Sequence, residues 1–470
     1  METETKELEK KLVYTRKNIY EDADAAQKKD IFDFAEGYKA FLNAAKTERE
    51  SVDRAIELAE AAGFRKMKDC SGLKPGDKVY MTNRNKNVLL FVIGQKNITE
   101  GVALVGAHID SPRLDLKPNP VYEAEGLGLL KTHYYGGIKK YQWTAIPLAL
   151  HGVVFLNDGR KITLNIGENE TDPVFCVTDL LPHLADEQVK KPAHQAIEGE
   201  KLNLLAGSIP VNDDEIKEKV KFTILKHLYD NYSITEEDFA SAEIEAVPAG
   251  CARDVGLDRS LIGSYGQDDR VCAYTALRAV LDIGVPQYTA ACILVDKEET
   301  GSAGSTGFKS RFFESALVQL AEKLNGSCSL ADLNQLLVNS MCLSADVSVA
   351  VDPNYPEVSE PMNSAYINRG VAVCKYTGSR GKGGTSDANA EFLAKIRKVF
   401  QDNGVFWQMS ELGKVDAGGG GTIAQYVANL NIETLDCGTA VLSMHAPFEI
   451  TSKADVYMTY KAYKSFFEMA

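Results

Sequence analysis

The chain has 470 residues, of which 44% are hydrophobic, 25% charged and 9% aromatic. This is the composition of an ordinary globular protein and excludes a fibre, a low-complexity chain or a bundle of membrane spans. Its 52 Lys and Arg against 66 Asp and Glu leave a net charge of −14, a field that repels phosphate backbones and argues against nucleic acid as a partner.

Met1 to Leu12 alternates Glu and Lys and lacks the apolar core of a signal peptide. The most apolar stretch, Trp143 to Leu156, is too short to cross a bilayer and is broken by Pro147 and His151. Nine cysteines with no CxxC pair read as reduced, buried side chains. A cytoplasmic protein without a membrane partner is expected. Apolar spacing at Ile31, Phe34, Tyr38, Phe41 and Leu42 predicts a helix over 31–62. Strands follow at 88–93 and 102–107. From about Lys117 to Val211 the pattern changes to short β-like runs (151–155, 161–166, 175–177) separated by turn residues such as Asn157-Asp158-Gly159. Residues 213–232 read as a helix returning to the first unit. Helices and strands then alternate: helix 271–283, strand 289–295, helix 311–323, strand 341–345, helix 388–402, a helix from Thr422 and a strand at 439–443. Such alternation predicts an α/β fold with a mostly parallel sheet flanked by helices. The expected organisation is a catalytic α/β domain in two parts, 1–116 and 213–470, interrupted by a β-rich domain over 117–212.

In an open α/β sheet, ligands bind beyond the carboxyl ends of the strands, and four predicted edges carry suitable residues there. The first strand runs into His108-Ile109-Asp110, whose alternate residues share a side. That suits a ligating imidazole whose second nitrogen is held by a carboxylate. Strand 289–295 runs into Asp296-Lys297-Glu298-Glu299. The two glutamates point opposite ways, so one can ligate a metal while the other holds a proton. Strand 341–345 ends at Asp346, and 439–443 leads to His445. Asp268 opens a helix, where an aspartate is ordinarily a cap, yet its two oxygens can bridge two cations. Taken singly, each reading competes with a solvated turn or a structural histidine. Together, His108, Asp268, Glu299, Asp346 and His445 supply each of two metals with one imidazole, one terminal carboxylate and a shared carboxylate, leaving open positions for water and substrate.

The segments GAHIDSPRLDLKP, QDDRVCAYTAL, DKEETGS, SADVSVAVDPNYP and SMHAPFEI resemble the ordered motifs of the aspartyl aminopeptidase family, a bacterial-type branch of it, from about Gly106 to Glu449. The resemblance implies a zinc exopeptidase fold with an inserted β-rich dimerisation domain and two divalent metal ions, zinc first and cobalt or manganese as alternatives. By motif, the five ligands above match, with Asp268 as the bridge, Asp110 as the orienter of His108 and Glu298 as the general base. It further implies peptide substrates and a homo-oligomer, commonly a dodecamer, in which a histidine corresponding to His183 of Pro182-His183-Leu184 reaches the neighbouring subunit's site. Two segments depart from the family, Ala446-Pro447-Phe448-Glu449 and Tyr141-Gln142-Trp143-Thr144-Ala145, both near the expected pocket and interface.

Two glycine-rich loops complete the reading. Gly418 to Gly421, with Gly420 at its middle, is either a backbone wall that lets substrate come close or a plain turn. Ser379 to Gly384 brings Arg380 and Lys382 as candidate grips for an acidic N-terminal side chain. The expected activity is a metal-dependent aminopeptidase with Glu298 as base. Its rivals are a related carboxypeptidase or N-acyl deacylase, and a silent shell-forming metal protein.

Overall fold

A computed structural model describes residues 2–469; Met1 and Ala470, the outer limits of the expected catalytic segments, lie outside the described residues. A nine-stranded sheet forms the centre. Its strands run in the order Arg65–Lys66, Lys78–Asn83, Asn87–Val92, Thr289–Val295, Val102–His108, Met341–Ser344, Glu433–Gly438, Val371–Cys374 and Trp407–Met409. The four from Thr289–Val295 to Glu433–Gly438 are mutually parallel, and antiparallel pairs join them to the edges. The period of two sorts Val102–His108 onto both faces. Ala103, Val105 and Ala107 pack with the helices Ala25–Ala44, Gln267–Leu281 and Lys453–Phe467, while Val102 and Leu104 pack with Phe312–Asn325 and Leu330–Asn339. The expected mixed, mostly parallel α/β sheet is therefore present.

A second, six-stranded sheet has the order Lys161–Ile166, Leu148–Phe155, Ala242–Pro248, Arg113–Ala124, Leu127–Tyr135 and Leu204–Gly207. It is antiparallel throughout and has its own apolar core around Trp143, Leu148 and Leu204. The β-rich unit thus reaches from Arg113 to Pro248 instead of 117–212. The helix expected over 213–232 begins at Lys219, and its Ile224, Leu225 and Leu228 pack on this second core, so it does not return to the first. A five-stranded sheet (Arg253–Val255, Leu261–Ser264, Glu449–Ser452, Ala440–Leu442, Ser348–Val349) lies in the C-terminal half.

Three further expectations are corrected. The single helix over 31–62 is two, Ala25–Ala44 and Glu48–Ala61, because Thr47 and Glu50 cap each other's main-chain N–H groups and start a new helix. The strand at 439–443 does not belong to the central sheet: Glu433–Gly438 occupies that place, and Ala440–Leu442 joins the five-stranded sheet. The helix from Thr422 is one short turn, Ala424–Ala428. Among the described residues, no helix is long and apolar enough to cross a membrane.

Candidate metal centre

His108 closes Val102–His108, and Glu298 and Glu299 open the turn after Thr289–Val295. These strands are parallel neighbours with Val295 opposite His108, so the imidazole and the glutamates leave the sheet side by side. Asp346 follows Met341–Ser344, which pairs along the other edge of Val102–His108. Asp268 heads the helix Gln267–Leu281 in an extended conformation (φ −81°, ψ 106°). His445, at φ 64°, stands in the turn between Ala440–Leu442 and Glu449–Ser452, so it arrives from the five-stranded sheet.

The centre of the arrangement is Asp268, only 4% exposed. Its Oδ1 lies 3.1 Å from His108 Nε2 and its Oδ2 lies 3.1 Å from His445 Nε2. Asp346 Oδ1 is 4.0 Å from His108 Nε2, and Glu299 Oε1 is 3.5 Å from His445 Nε2. Each imidazole therefore faces Asp268 and one terminal carboxylate. Both rings are oriented by main-chain carbonyls: His108 Nδ1 lies 3.0 Å from Asp110 O, and His445 Nδ1 lies 2.8 Å from Gly137 O. A carbonyl oxygen only accepts, so each Nδ1 carries a hydrogen and each Nε2 is turned inward.

Asp110, fully buried, does more than the sequence suggests. Its carbonyl rather than its carboxylate makes the shorter contact to His108, the carboxylate Oδ1 being 3.4 Å away. That carboxylate accepts the main-chain N–H groups of Glu298 (3.1 Å) and Glu299 (3.2 Å) and the hydroxyl of Tyr135 (2.7 Å). It holds the glutamate turn as well as the imidazole.

Burial, with Asp110 and Asp268 nearby, pushes the Glu298 carboxyl up to about 7 against the opposing pull of His108. Burial and the neighbouring acids likewise carry Glu299 and Asp346 well above the usual carboxylate range. Asp268 goes the other way: burial would raise it, but hydrogen bonds from His108 and His445 hold it low. A cation fits this set. Among the described residues, Glu299 Oε1 is buried with no hydrogen-bond partner, and no Lys or Arg pairs with Asp268, Glu298, Glu299 or Asp346. Donor atoms of His108, Asp268 and Glu299 fall within 4.8 Å of one another, as do those of His108, Glu298 and Asp346. These are hard oxygens and imidazole nitrogens, the donors of a catalytic zinc site.

Of the remaining expected residues, Gly420 pairs with Gly378, and Gly419 with Ser379, so the two glycine-rich loops form one small ribbon. Arg380 is exposed on it. Lys382 pairs with Asp387 at 3.0 Å and lies 3.7 Å over the ring of Tyr376, so its charge is already engaged. His183 stands exposed in the turn Pro182–Leu184 and takes part in none of the cluster's contacts. Residues the sequence reading passed over do take part. Glu449 is buried and accepts the main-chain N–H groups of both Asp268 (3.1 Å) and His445 (2.7 Å). The end of the second sheet's strand Leu127–Tyr135 brings Tyr135, Gly136 and Gly137 to the cluster. A Cβ at Gly136 would lie 3.2 Å from Glu299 Oε2, and the repeated glycines after a strand are the one signal of this close approach.

Buried acids beyond the ends of parallel strands, facing two inward-turned imidazoles, one from the same sheet edge and one from the five-stranded sheet, are the donor set of a metal-dependent hydrolase. The chain belongs to the M18 family: residues 41–467 match the family described as "Aminopeptidase I zinc metalloprotease (M18)". It is a metalloaminopeptidase, a hydrolase acting on peptide bonds. A protein of Clostridium acetobutylicum described as "Probable M18 family aminopeptidase 1" is 51% identical over 454 residues, 96% of this chain and 97% of its own length. The crystal structure of an M18 aminopeptidase from Thermotoga maritima, 48% identical, matches with a TM-score of 0.94 over 97% of this chain and 100% of that one. The structure of a yeast mApe1 dodecamer, 22% identical over 93% of this chain and 96% of its own, shares the fold at a TM-score of 0.75.

Proposed function

We propose that the aminopeptidase reaction runs on two divalent cations, zinc first and cobalt or manganese as alternatives, with Glu298 as general base. The observation that carries this reading is Asp268, whose two oxygens stand 3.1 Å from two different imidazoles. One set of donors is then His108, Asp346 and an oxygen of Asp268; the other is His445, Glu299 and its second oxygen. Cations held there would polarise the scissile carbonyl and acidify the attacking water. Glu298 takes the proton of that water as its oxygen adds to the carbonyl carbon. It then delivers the proton to the departing nitrogen as the C–N bond breaks. A substrate's cationic α-amine suits a pocket walled by acids, which favours a free N-terminus over a carboxypeptidase or N-acyl deacylase reaction.

Three finer assignments accompany this reading. A preference for Asp or Glu at the N-terminus follows from the aspartyl aminopeptidase motifs and rests on Arg380, since Lys382 is paired. Assembly of identical chains uses the β-rich unit, where the segment between Lys161–Ile166 and Leu204–Gly207 carries Leu180, Leu181, Leu184 and Val189 as a group of exposed apolar side chains beside His183. Within that assembly His183 acts in the neighbouring subunit's site, helping to hold the carbonyl oxygen. The deciding experiment is a panel of aminoacyl reporter substrates with free and blocked N-termini, run on metal-loaded parent, Glu298→Gln, Arg380→Met and Lys382→Met proteins. Glu298→Gln is expected to keep its metal and lose roughly 10²–10⁴-fold in turnover. Arg380→Met is expected to lose acidic substrates selectively, and Lys382→Met to behave as parent. Full turnover in metal-loaded Glu298→Gln removes the base, and equal rates on acidic and apolar substrates remove the specificity. Mixed oligomers of His183→Ala and Glu298→Gln chains regain activity if His183 acts in trans, and stay inactive if it does not.

A further inference from the structure

We propose that Tyr135, a residue of the second sheet, is a positioning residue for Glu298 and acts through Asp110. The inference rests on Glu298 being the general base. Tyr135 is the last residue of the strand Leu127–Tyr135, directly opposite Arg113 on the neighbouring strand. The Arg113 guanidinium lies 3.8 Å over the tyrosine ring, a stacking distance that restricts the ring's tilt. Arg113 is itself fixed, by Asp115 at 2.8 Å and Glu245 at 3.2 Å; it is 5% exposed, and Glu245 is as deeply buried. The hydroxyl of the ring so held donates to Asp110 Oδ2 at 2.7 Å. Glu299 N donates to the same oxygen and Glu298 N to the other.

The consequence is geometric. A carboxylate can rotate about its bond to Cβ, and two N–H donors from one turn allow the turn and the carboxylate to rock together. A third donor from a different sheet, on a ring fixed by an ion-paired arginine, removes that freedom. Charge-assisted bonds of this kind are short and directional, and a base is effective only when its oxygen stays within hydrogen-bond reach of the water proton. Asp110 is thus the main junction at which the second sheet sets the position of the Glu298–Thr300 turn, alongside a longer bond of 3.4 Å that the Thr300 hydroxyl donates to the Tyr135 oxygen. Tyr135 itself touches none of the five candidate ligands through its hydroxyl and is not a catalytic residue.

Tyr135→Phe retains the ring and its stacking on Arg113 and removes only the hydroxyl. The full-length, metal-loaded protein is expected to keep its metal stoichiometry and KM while kcat falls roughly 10–100-fold. A double-mutant cycle makes the test specific: in a Glu298→Gln background the same Tyr135→Phe change is expected to cause no further loss in kcat, because the group being positioned is gone. An unchanged kcat in Tyr135→Phe overturns the proposal. So does a Tyr135→Phe protein that fails to fold or loses metal, since the hydroxyl would then be structural, and so does a loss that is fully additive with Glu298→Gln. If Glu298→Gln alone retains parental turnover, the reading of Glu298 as base is what fails, and the cycle separates the two.

Discussion

Gly136 offers the sharpest perturbation of the metal centre, because a methyl group there has one consequence that a matched glycine elsewhere lacks. Gly136 has φ +73°, and an added Cβ would sit 3.2 Å from Glu299 Oε2, 3.3 Å from Glu299 Cβ and 3.4 Å from Pro112 Cα. Gly126, in the turn at the far end of the same strand, has φ +69° and nothing within 4 Å of the equivalent position. Placing alanine in left-handed backbone costs about 1–2 kcal/mol at either site. Gly136→Ala should therefore cost at least as much stability as Gly126→Ala, the excess coming from its contacts with Glu299 and Pro112. Only Gly136→Ala presses on a candidate ligand, and the carboxylate must yield by a few tenths of an ångström. Because a displacement of about 1 Å can cost roughly 100-fold, kcat/KM is expected to fall about 3–10-fold in Gly136→Ala, with weaker metal retention on dialysis. Gly126→Ala should keep both. Denaturant unfolding, metal analysis after dialysis and steady-state rates on one reporter substrate decide it. Equal kcat/KM and metal retention in the two variants would refute the placement of Gly136 against Glu299.

Metal loading should be linked to protons. His108 and His445 are raised by their carboxylate contacts against the effect of burial, His445 to about 10, and Glu299 and Asp346 are raised by burial. The metal-free centre therefore holds protons at neutral pH that a cation must expel. Zinc titrations in buffers of different ionisation enthalpy should show proton release and an affinity that rises with pH; heats independent of buffer would contradict this. A separate expectation concerns His151, 1% exposed between Glu50 (2.7 Å) and Glu168 (3.0 Å), where Nδ1 and Nε2 both face acceptors. Burial lowers its pKa, but the two carboxylates outweigh that and raise it above 6.5. Its contribution is thus fully present below about pH 6.5 and lost as pH rises through the higher folded value. His151→Gln should lower stability by about 2–4 kcal/mol at pH 6, discounted because Glu50 and Glu168 keep 21% and 16% exposure. The gap to parent should narrow at alkaline pH, and a gap independent of pH would remove the charged imidazole. Glu449→Gln should weaken metal retention without abolishing the fold, since an amide cannot accept both N–H groups; parental retention would show that the clamp is dispensable.

The strand ends are legible because their information is local. His108 and Asp110 stand two apart on an extended chain, and Glu298 and Glu299 follow an apolar run, so sequence places them at one edge of a parallel sheet. What Asp110 binds is not local: its carboxylate meets N–H groups from residues 298 and 299 and a hydroxyl from residue 135, partners set by sheet pairing. The same holds for Ala242–Pro248, whose place between Leu148–Phe155 and Arg113–Ala124 lengthens the β-rich unit beyond its compositional limits. Two local signals also stand in the sequence: the Thr47-x-x-Glu50 capping box breaks the first helix, and Asp387, five residues beyond Lys382, is close enough in sequence to pair with it.

The order of strands in the central sheet also shapes how the chain can be made. Val102–His108 pairs on one side with Thr289–Val295 and on the other with Met341–Ser344, so its first partner leaves the ribosome roughly 180 residues later, an interval on the order of 10–40 s at ordinary elongation rates. During that time a fully buried, nearly all-apolar strand waits with both edges unpaired, which is the condition that invites aggregation. The second sheet, all six of whose strands come from the stretch in between, can close on itself during the delay. Its first strand begins at Arg113, five residues after His108, so a closed sheet can form directly beside the waiting strand, and Asp346 and His445, the last candidate ligands in the chain, set the point at which the centre can be completed.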